Sequence, residues 1–493
     1  MAHARFIVGA MPRRIAAGSR GLASALSSLL LASCALRPDD VRPAPPIPSA
    51  YAGPVQQLGS IARIGWRDFF QDPQVRSLIE ETLANNRDLR VAAGRLEEAR
   101  AAFRIQGSAL YPQLDAVGTG TRGRTPADLS ITGRAVTSGQ YQSVLSTGWE
   151  IDFWGRLRNL RESALQQYLA TSEARRAVAT ALVAQVANSY LLEREYEERI
   201  AIARHTVATR EDSLRIMRRR YEVGSGSKLE MTQAQTLLAQ AQTAVQALEQ
   251  DQEINRNALA LLVGRPVEIA PGPLRLSEAG DAPLLPAGLP SDLLANRPDV
   301  IAAEHRLQAA NADIGAARAA FFPNITLTGA YGTASAELDG LFKAGSGTWS
   351  FTPALHLPIF DAGRNGARLA SANARRDIAV AEYEQTIQGA FRDVSDALVQ
   401  RRQLAAQIAT VQDMLSALKE RARLADLRFA NGRSAYLEVL DAQRDLFETE
   451  QRLVQLRRSY FASGVALYAA LGGGFADESQ FAPAVRPIEE KAR

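Results

Sequence analysis

Arg220-Tyr221-Glu222-Val223-Gly224-Ser225-Gly226-Ser227-Lys228-Leu229-Glu230 occurs a second time, altered but recognisable, as Arg428-Phe429-Ala430-Asn431-Gly432-Arg433-Ser434-Ala435-Tyr436-Leu437-Glu438. The copies stand 208 positions apart (428 less 220). The same offset carries Gly155-Arg156 onto Gly363-Arg364, Ala258-Leu259 onto Ala466-Leu467, and Gly264 onto Gly472. Upstream it grows to 211, where Leu110-Tyr111-Pro112-Gln113-Leu114 answers Phe321-Phe322-Pro323-Asn324-Ile325. The difference in length therefore falls in a loop between 115 and 154. A repeat of this size means one architectural unit used twice. The units occupy 73–264 and 291–472, after an extended segment at 34–72 and before a tail at 473–493. Between them, 265–290 carries Pro266, Pro271, Pro273, Pro283, Pro286 and Pro290. Proline fixes φ and blocks a helix, so this stretch reads as an extended connector.

Outward from each turn glycine run helical patterns. Residues 157–220 and 365–428 form two runs without proline, each about 96 Å long at 1.5 Å per residue. Ile200, Val207, Leu214 and Tyr221 recur every seventh residue, as do Ile408, Leu415, Ala422 and Phe429. Past the second turn, Leu440, Phe447, Val454, Phe461 and Tyr468 keep that period on a returning helix at 435–471. A seven-residue apolar repeat packs helices side by side as coiled coils. Each unit opens with a further helix, predicted over 73–108 and 291–320. Asp72-Pro73 gives the first of them a capping side chain followed by proline. Residues 291–320 and 435–471 together match one long run in length. Two shorter helices stacked end to end thus flank one long helix, which makes a wall element.

Between the opening helix and the long one, each unit alternates in period two. Tyr141, Leu145, Trp149, Ile151 and Phe153 interleave with Gln142, Ser146, Gly148, Glu150 and Asp152. In the second unit, Trp349, Phe351, Leu355, Leu357 and Ile359 interleave with Thr348, Ser350, Thr352 and His356. That pattern gives hairpins at 112–153 and 322–360 with one apolar and one polar face. Pro353 belongs on an edge strand or a bulge. Four strands are too few to close a barrel, so a lipid-facing reading requires several copies.

The leader points to a compartment. Arg5, Arg13, Arg14 and Arg20 precede an apolar stretch within 1–33, and Leu31-Ala32-Ser33-Cys34 resembles a bacterial lipobox ending in the sole cysteine. Such a cysteine receives an S-diacylglycerol and an N-acyl chain, and several chains anchor firmly where one does not. Ala35, where an aspartate would favour inner-membrane retention, favours the outer membrane. One cysteine excludes an internal disulfide framework. Beyond the leader no apolar run reaches the roughly 18–20 residues of a transmembrane helix, so a crossing uses strands.

The net charge of +4 is spread among interleaved acids and bases, which argues against nucleic acid as a partner. The four histidines, His3, His205, His305 and His356, lie far apart in the chain, and no phosphate loop, nucleophile elbow or metal motif occurs. Enzymatic function and resident cofactors are not expected. A coiled-coil tether is the remaining rival, and it would conduct nothing.

Together these residues resemble the outer membrane factors of tripartite efflux systems, the TolC-like group, and within it the OprM-like lipoproteins. The matching stretches are Arg42-Pro43, Trp66-Arg67-Asp68-Phe69-Phe70-Gln71-Asp72-Pro73, Asn86-Arg87-Asp88-Leu89, Asp152-Phe153-Trp154-Gly155-Arg156, Asn296-Arg297-Pro298-Asp299-Val300, Phe322-Pro323-Asn324-Ile325, Phe360-Asp361-Ala362-Gly363-Arg364 and Leu440-Asp441-Ala442-Gln443. The resemblance implies an α+β membrane protein: a homotrimer whose four strands per chain close a twelve-stranded β-barrel, continued by a coiled-coil α-helical barrel. An equatorial belt would hold the connector near 265–290 and the tail. The partners implied are a periplasmic adaptor (membrane fusion) protein, an inner-membrane transporter of the resistance-nodulation-division type, and outer-membrane lipid. Small molecules such as drugs would leave passively through the duct. The resemblance also places a periplasmic gate at Leu437, Glu438 and Asp441, with the turns at Gly224 and Gly432 as tips and adaptor contacts. Arg433 and Ser434 depart from the arginine that some relatives carry two residues past the turn glycine.

Mass spectrometry of the mature N-terminus is expected to find acylated Cys34, and Cys34→Ala to impair anchoring more than assembly. An unmodified Cys34 in the mature chain refutes the lipobox.

Overall fold

The computed structural model describes residues 36–51, 64–270, 276, 288 and 290–474. The leader with Cys34, most of the connector and the tail from 475 lie outside the described residues. In chain order come α1 (Trp66–Phe69), α2 (Pro73–Asn85), α3 (Arg87–Ser108), β1 (Gln113–Thr125), β2 (Val136–Ile151), α4 (Arg156–Glu222), α5 (Lys228–Val263), α6 (Leu293–Asn296), α7 (Pro298–Ala319), β3 (Asn324–Ser335), β4 (Gly347–His356), α8 (Arg364–Ala430) and α9 (Tyr436–Ala470). The chain divides into two compact units, one from 1–42, 99–168 and 306–379, the other from 43–98, 169–305 and 380–493.

The first unit holds one antiparallel sheet in the order β1-β2-β3-β4. Its register carries the period-two pattern across strands from opposite halves of the chain. Leu145, Tyr331 and Trp349 form one row, Thr147, Gly329 and Phe351 the next, and Trp149, Leu327 and Pro353 the one after. Ile151, Ile325 and Leu355 form a fourth. Directly paired residues share a face, so this face is apolar across three strands. The opposite face pairs Ser146 with Ala330 and Ser350, and Asn324 with His356. Pro353 lies on β4, an outer strand of the sheet, where its missing N–H breaks no central ladder.

The strands stop earlier than their alternation suggests. Leu357 and Ile359 fall beyond β4, because Pro323, which the register sets opposite Leu357, and Pro358, the next residue, have no N–H to extend the ladder. Phe153 falls beyond β2, where its N–H turns back to the Ile151 carbonyl at 2.8 Å. An acid then starts each long helix. Asp152 accepts from Leu157 and Arg158 N–H, both at 2.9 Å, and Asp361 accepts from Asn365 N–H at 2.9 Å. The segment after the leader is strapped to this unit. Arg318 donates to the Leu36 carbonyl at 3.0 Å, and the Asn311 amide to Asp40 at 2.9 Å.

The long helices α4 and α8 each count 67 residues, a little more than the predicted 64. In the second unit α4 packs between two partners. Glu193 and Glu195, two apart, leave the helix on different sides. Buried Glu193 accepts from Arg256 of α5 at 2.7 Å, and buried Glu195 from Arg458 of α9 at 2.8 Å. The main core of this unit uses repeat equivalents from both halves, with Leu259 and Val263 alongside Leu467 and Leu471. Asp72 caps α2 through the Gln74 N–H at 2.8 Å and also accepts from the Tyr190 hydroxyl. The short helix α1 was not legible; Trp66 at its start is fully buried.

The opening helices, predicted as continuous over 73–108 and 291–320, are both broken, and at equivalent places. Asn86 and Arg297, 211 apart, adopt extended backbone with ψ of 137° and 117°. At Arg297 the following proline forbids the helical conformation. At Asn86 the side chain does the work instead. Its oxygen accepts from Leu89 N–H at 3.0 Å, and its amide donates to the Leu262 carbonyl at 2.8 Å. Arg297 makes the matching bond to the Ala470 carbonyl at 3.2 Å, and it also binds Asp299 and Asp393. Burial works against its charge, but the bonds to Asp299 and Asp393 prevail and hold the guanidinium pKa above its ordinary value. Leu262 and Ala470 are themselves repeat equivalents.

Two residues later stand Gly264 and Gly472, with φ of 83° and 105°. A Cβ there would come within 2.9 Å of the Asn85 carbonyl oxygen and 2.4 Å of the Asn296 one. Gly472→Ala is therefore expected to destabilise by about 2–4 kcal/mol through strain and clash together. Gly224→Ala, at φ 75° with open space around it, adds only left-handed strain of about 1 kcal/mol. Circular dichroism melts of the two purified variants check that order, and equal midpoints refute it.

Candidate gate at the hairpin turns

The two turns are built alike. Gly224 N–H donates to the Tyr221 carbonyl at 3.0 Å and Ser225 N–H to that of Arg220 at 2.9 Å. Gly432 N–H donates to the Phe429 carbonyl at 2.9 Å and Arg433 N–H to that of Arg428 at 2.8 Å. Both glycines take positive φ, as a helix end of this kind requires.

Beyond the turns the copies diverge. In the first, Ser227 caps α5 with a full capping box: its hydroxyl accepts from Glu230 N–H, and the Glu230 carboxylate accepts from Ser227 N–H at 3.0 Å. In the second, Ala435 occupies the cap position and offers no hydroxyl. Glu438, the equivalent of Glu230, is released from capping. It projects half-exposed toward Arg428, 3.8 Å away, too far for a strong ion pair.

Leu437 is 54% exposed, and its equivalent Leu229 is 65% exposed. Asp441 follows one helical turn after Leu437, on the same face. It lies 3.4 Å from Arg444, which also meets Asp445 at 3.3 Å. The repeat equivalent of Asp441 is Gln233, so this acid belongs to the second hairpin alone. Leu437, Glu438 and Asp441 are thus gathered on the first turns of α9, Leu437 and Glu438 exposed and Asp441 half-buried. Among the described residues the Arg433 guanidinium has no ion-pair partner, and Ser434 Oγ is buried without a hydrogen bond. Leu229 and Glu230 were missed in the sequence, although the repeat register places them beside Leu437 and Glu438.

An apolar cluster of Met217, Ala234, Ala422, Ala425, Tyr436, Val439, Leu440 and Ala442 joins the two hairpin ends. Its alanines let the backbones approach closely. Phe429 tilts against Tyr436 at 5.0 Å, and the Arg220 guanidinium sits 5.1 Å from the Phe429 ring. Burial raises the Tyr436 hydroxyl pKa. Burial likewise raises that of Asp426, against a weaker opposing effect from its bond to Gln443. Of the predicted heptad positions, Ile200, Ala422, Leu440, Val454 and Tyr468 are buried, while Tyr221 at the last turn of α4 is exposed. Exposed leucines beside carboxylates can occlude a passage and bias it by charge. Among the described residues no group of three or more His, Cys, Asp or Glu could hold a metal, and no helix is long and apolar enough to cross a membrane.

Residues 78–265 and 289–473 match the family described as outer membrane efflux protein. The chain is 45% identical over 461 residues to the toluene efflux pump outer membrane protein TtgF of Pseudomonas putida, across 91% of its own length and 95% of that protein's. It is 40% identical over 452 residues to the cation efflux system protein CusC of Escherichia coli, across 91% and 97%. Among solved structures, the open-state MtrE outer membrane channel of Neisseria gonorrhoeae gives a TM-score of 0.80 at 36% identity, covering 90% of this chain and 98% of that one. A membrane protein of Pseudomonas aeruginosa gives 0.82 at 41% identity, covering 89% and 98%.

The difference at the caps is testable. Ala435→Ser is expected to restore a capping box, draw Glu438 back to the backbone, and stabilise the first turn of α9 by about 1 kcal/mol. Hydrogen exchange at the Leu437 and Glu438 amides should slow roughly fivefold, which is what about 1 kcal/mol yields. Unchanged exchange refutes the account of why Glu438 is free.

Proposed function

From a chain that belongs to the outer membrane efflux protein family, and so is an outer-membrane channel component of an efflux system, we propose that three copies close one duct. The observation that carries this is the sheet. Four antiparallel strands have one apolar face and two open edges, β1 and β4. An unpaired edge in hydrocarbon leaves backbone groups unsatisfied at several kcal/mol each, so the edge of one copy pairs with that of the next. The helical hairpins then stand in the periplasm, where an adaptor and an inner-membrane transporter of the resistance-nodulation-division type meet the turns at Gly224 and Gly432. Cys34 carries the lipid anchor. The duct passes small molecules without an energy source of its own. Relatives at similar identity are named for toluene and for cation efflux, which supports placing cargo selection in the pump.

In the assembled duct, Leu437 and Asp441 of each copy form an apolar ring beside an acidic one, with Glu438 adjoining. Closure then combines water exclusion with cation binding. Opening loses the leucine contact and relieves repulsion among the carboxylates.

Purified protein in a planar bilayer tests the reading. Asp441→Ala is expected to weaken block by multivalent cations with little change in conductance. Leu437→Ala with Asp441→Ala is expected to raise conductance severalfold at normal trimer yield. A double variant that conducts like the parent and keeps its cation block places the constriction elsewhere. Quenching by brominated lipid should reach probes at Leu145, Tyr331 and Leu355 and spare those at Ser146, Thr352 and His356. Equal quenching of both sets refutes the barrel.

A further inference from the structure

We propose that Arg122 and Arg124 of β1 form a binding site for the phosphate groups of a lipid in the outer leaflet. The inference rests on the outer-membrane placement of the sheet.

The argument begins with register. On the apolar face, rows climb from Ile151–Ile325 through Trp149–Leu327, Thr147–Gly329, Leu145–Tyr331 and Ser143–Thr333 to Tyr141–Ser335. From Ile151 to Tyr141 is ten residues of β2, about 33 Å along the strand at about 3.3 Å per residue. At a strand tilt of about 40° this is about 25 Å across the membrane, the height of a barrel's apolar band. Tyr141 therefore marks one border of that band, where an aromatic with a polar tip is favoured.

On β1, Gly120 pairs with Tyr141, Arg122 with Gly139, and Arg124 with Thr137. Both arginines thus share the apolar face and stand one and two rows beyond its border. The ends of β1 and β2 at this border lead into a hairpin loop, whereas their other ends lead into helices. With the helices in the periplasm, the border lies at the outer leaflet.

Beyond Tyr141 the paired positions of this face are Gly139 and Thr137 of β2 and the two arginines of β1; Glu337, two residues past the end of β3, forms no ion pair with either arginine. Both arginines are exposed. Among the described residues neither guanidinium has a hydrogen-bond or ion-pair partner. The Tyr141 ring lies against Gly120 and Gly139, the two glycines beside Arg122, and floors the space under its guanidinium stem. Two planar cations two residues apart, just above hydrocarbon and without a protein partner, suit bidentate recognition of phosphate. An anion held by acyl chains at this height meets both at once.

Native mass spectrometry of the detergent-solubilised full-length protein tests the site. The probes are diphosphorylated lipid A, its dephosphorylated form, phosphatidylcholine and inorganic phosphate. The parent is expected to retain diphosphorylated lipid A over both phosphate-poor lipids. Arg122→Gln with Arg124→Gln is expected to lower that retention about twenty-five-fold, the product of two surface charges each worth about fivefold. Lysine at both positions should recover much of it. Retention unchanged in the glutamine variant overturns the proposal. So does displacement of lipid A by excess inorganic phosphate, which would show a free-anion site. Should the glutamine variant not assemble, equal retention of the diphosphorylated and dephosphorylated lipids by the parent overturns it instead. Conductance of the variant in a phosphatidylcholine bilayer separates the two readings. Normal conductance with lost lipid A leaves the duct standing and supports the site, whereas a variant that assembles yet neither conducts nor retains lipid A points to a damaged barrel and overturns the assignment.

Discussion

Two hydrogen bonds set the terms for the helical part of this chain: Asn86 to the Leu262 carbonyl, and Arg297 to that of Ala470. Each lies where an opening helix breaks, and each ties the break to the last turn of a returning helix. A helix that ends inside a packed layer leaves carbonyls without partners. Here one side chain per repeat satisfies such a carbonyl. The glycine two positions later then lets the backbone close onto the residue before the break. Asn86 has a short neutral side chain and stands alone. Arg297 has a longer charged one, so the second copy adds Asp299 and Asp393 to neutralise it. The geometry is the same, reached by two chemistries.

That difference explains what the sequence concealed. The long helices were legible because nothing interrupts their apolar period, and the turns because glycine must stand where φ is positive. The break at Arg297 was signalled by Pro298 and still passed over, since proline is also welcome at a helix start. The break at Asn86 carried no such mark. Asn86 caps the following helix through Leu89 N–H, a local sign that was passed over, while its bond to Leu262, far along the chain, is one that local pattern cannot report. The strand ends were overrun for a related reason. Alternation continues through Leu357 and Ile359, but ladder hydrogen bonds do not, because Pro323 falls opposite Leu357 and Pro358 follows it.

At the turns the balance is reversed. Leu437, Glu438 and Asp441 came from family resemblance, and their physical setting came from comparing the copies. A serine in one repeat and an alanine in the other decide whether the following glutamate caps a helix or faces outward. Glutamine against aspartate decides whether the next turn carries charge. Duplication gave the chain two near-identical hairpins, and these few substitutions make them unlike at their ends while the apolar cluster beneath holds both. Leu229, the equivalent of Leu437, stays exposed without an acid one turn beyond it.

The sheet has a consequence in time. β2 and β3 are hydrogen-bonded neighbours, yet the whole of α4, α5 and α7 lies between them in the chain. Contacts of such high sequence separation form late and slowly. During export the first hairpin therefore exists before its partner does, with an apolar face and unpaired edges of the kind that recruit foreign strands. Completing the second hairpin leaves two edges still open, and only other copies close them. Maturation thus depends on successive bimolecular encounters between copies, sensitive to concentration and to competing aggregation. A cell making such a chain needs chaperoning through the periplasm and rapid delivery to the membrane, where confinement to a surface raises the rate at which copies meet.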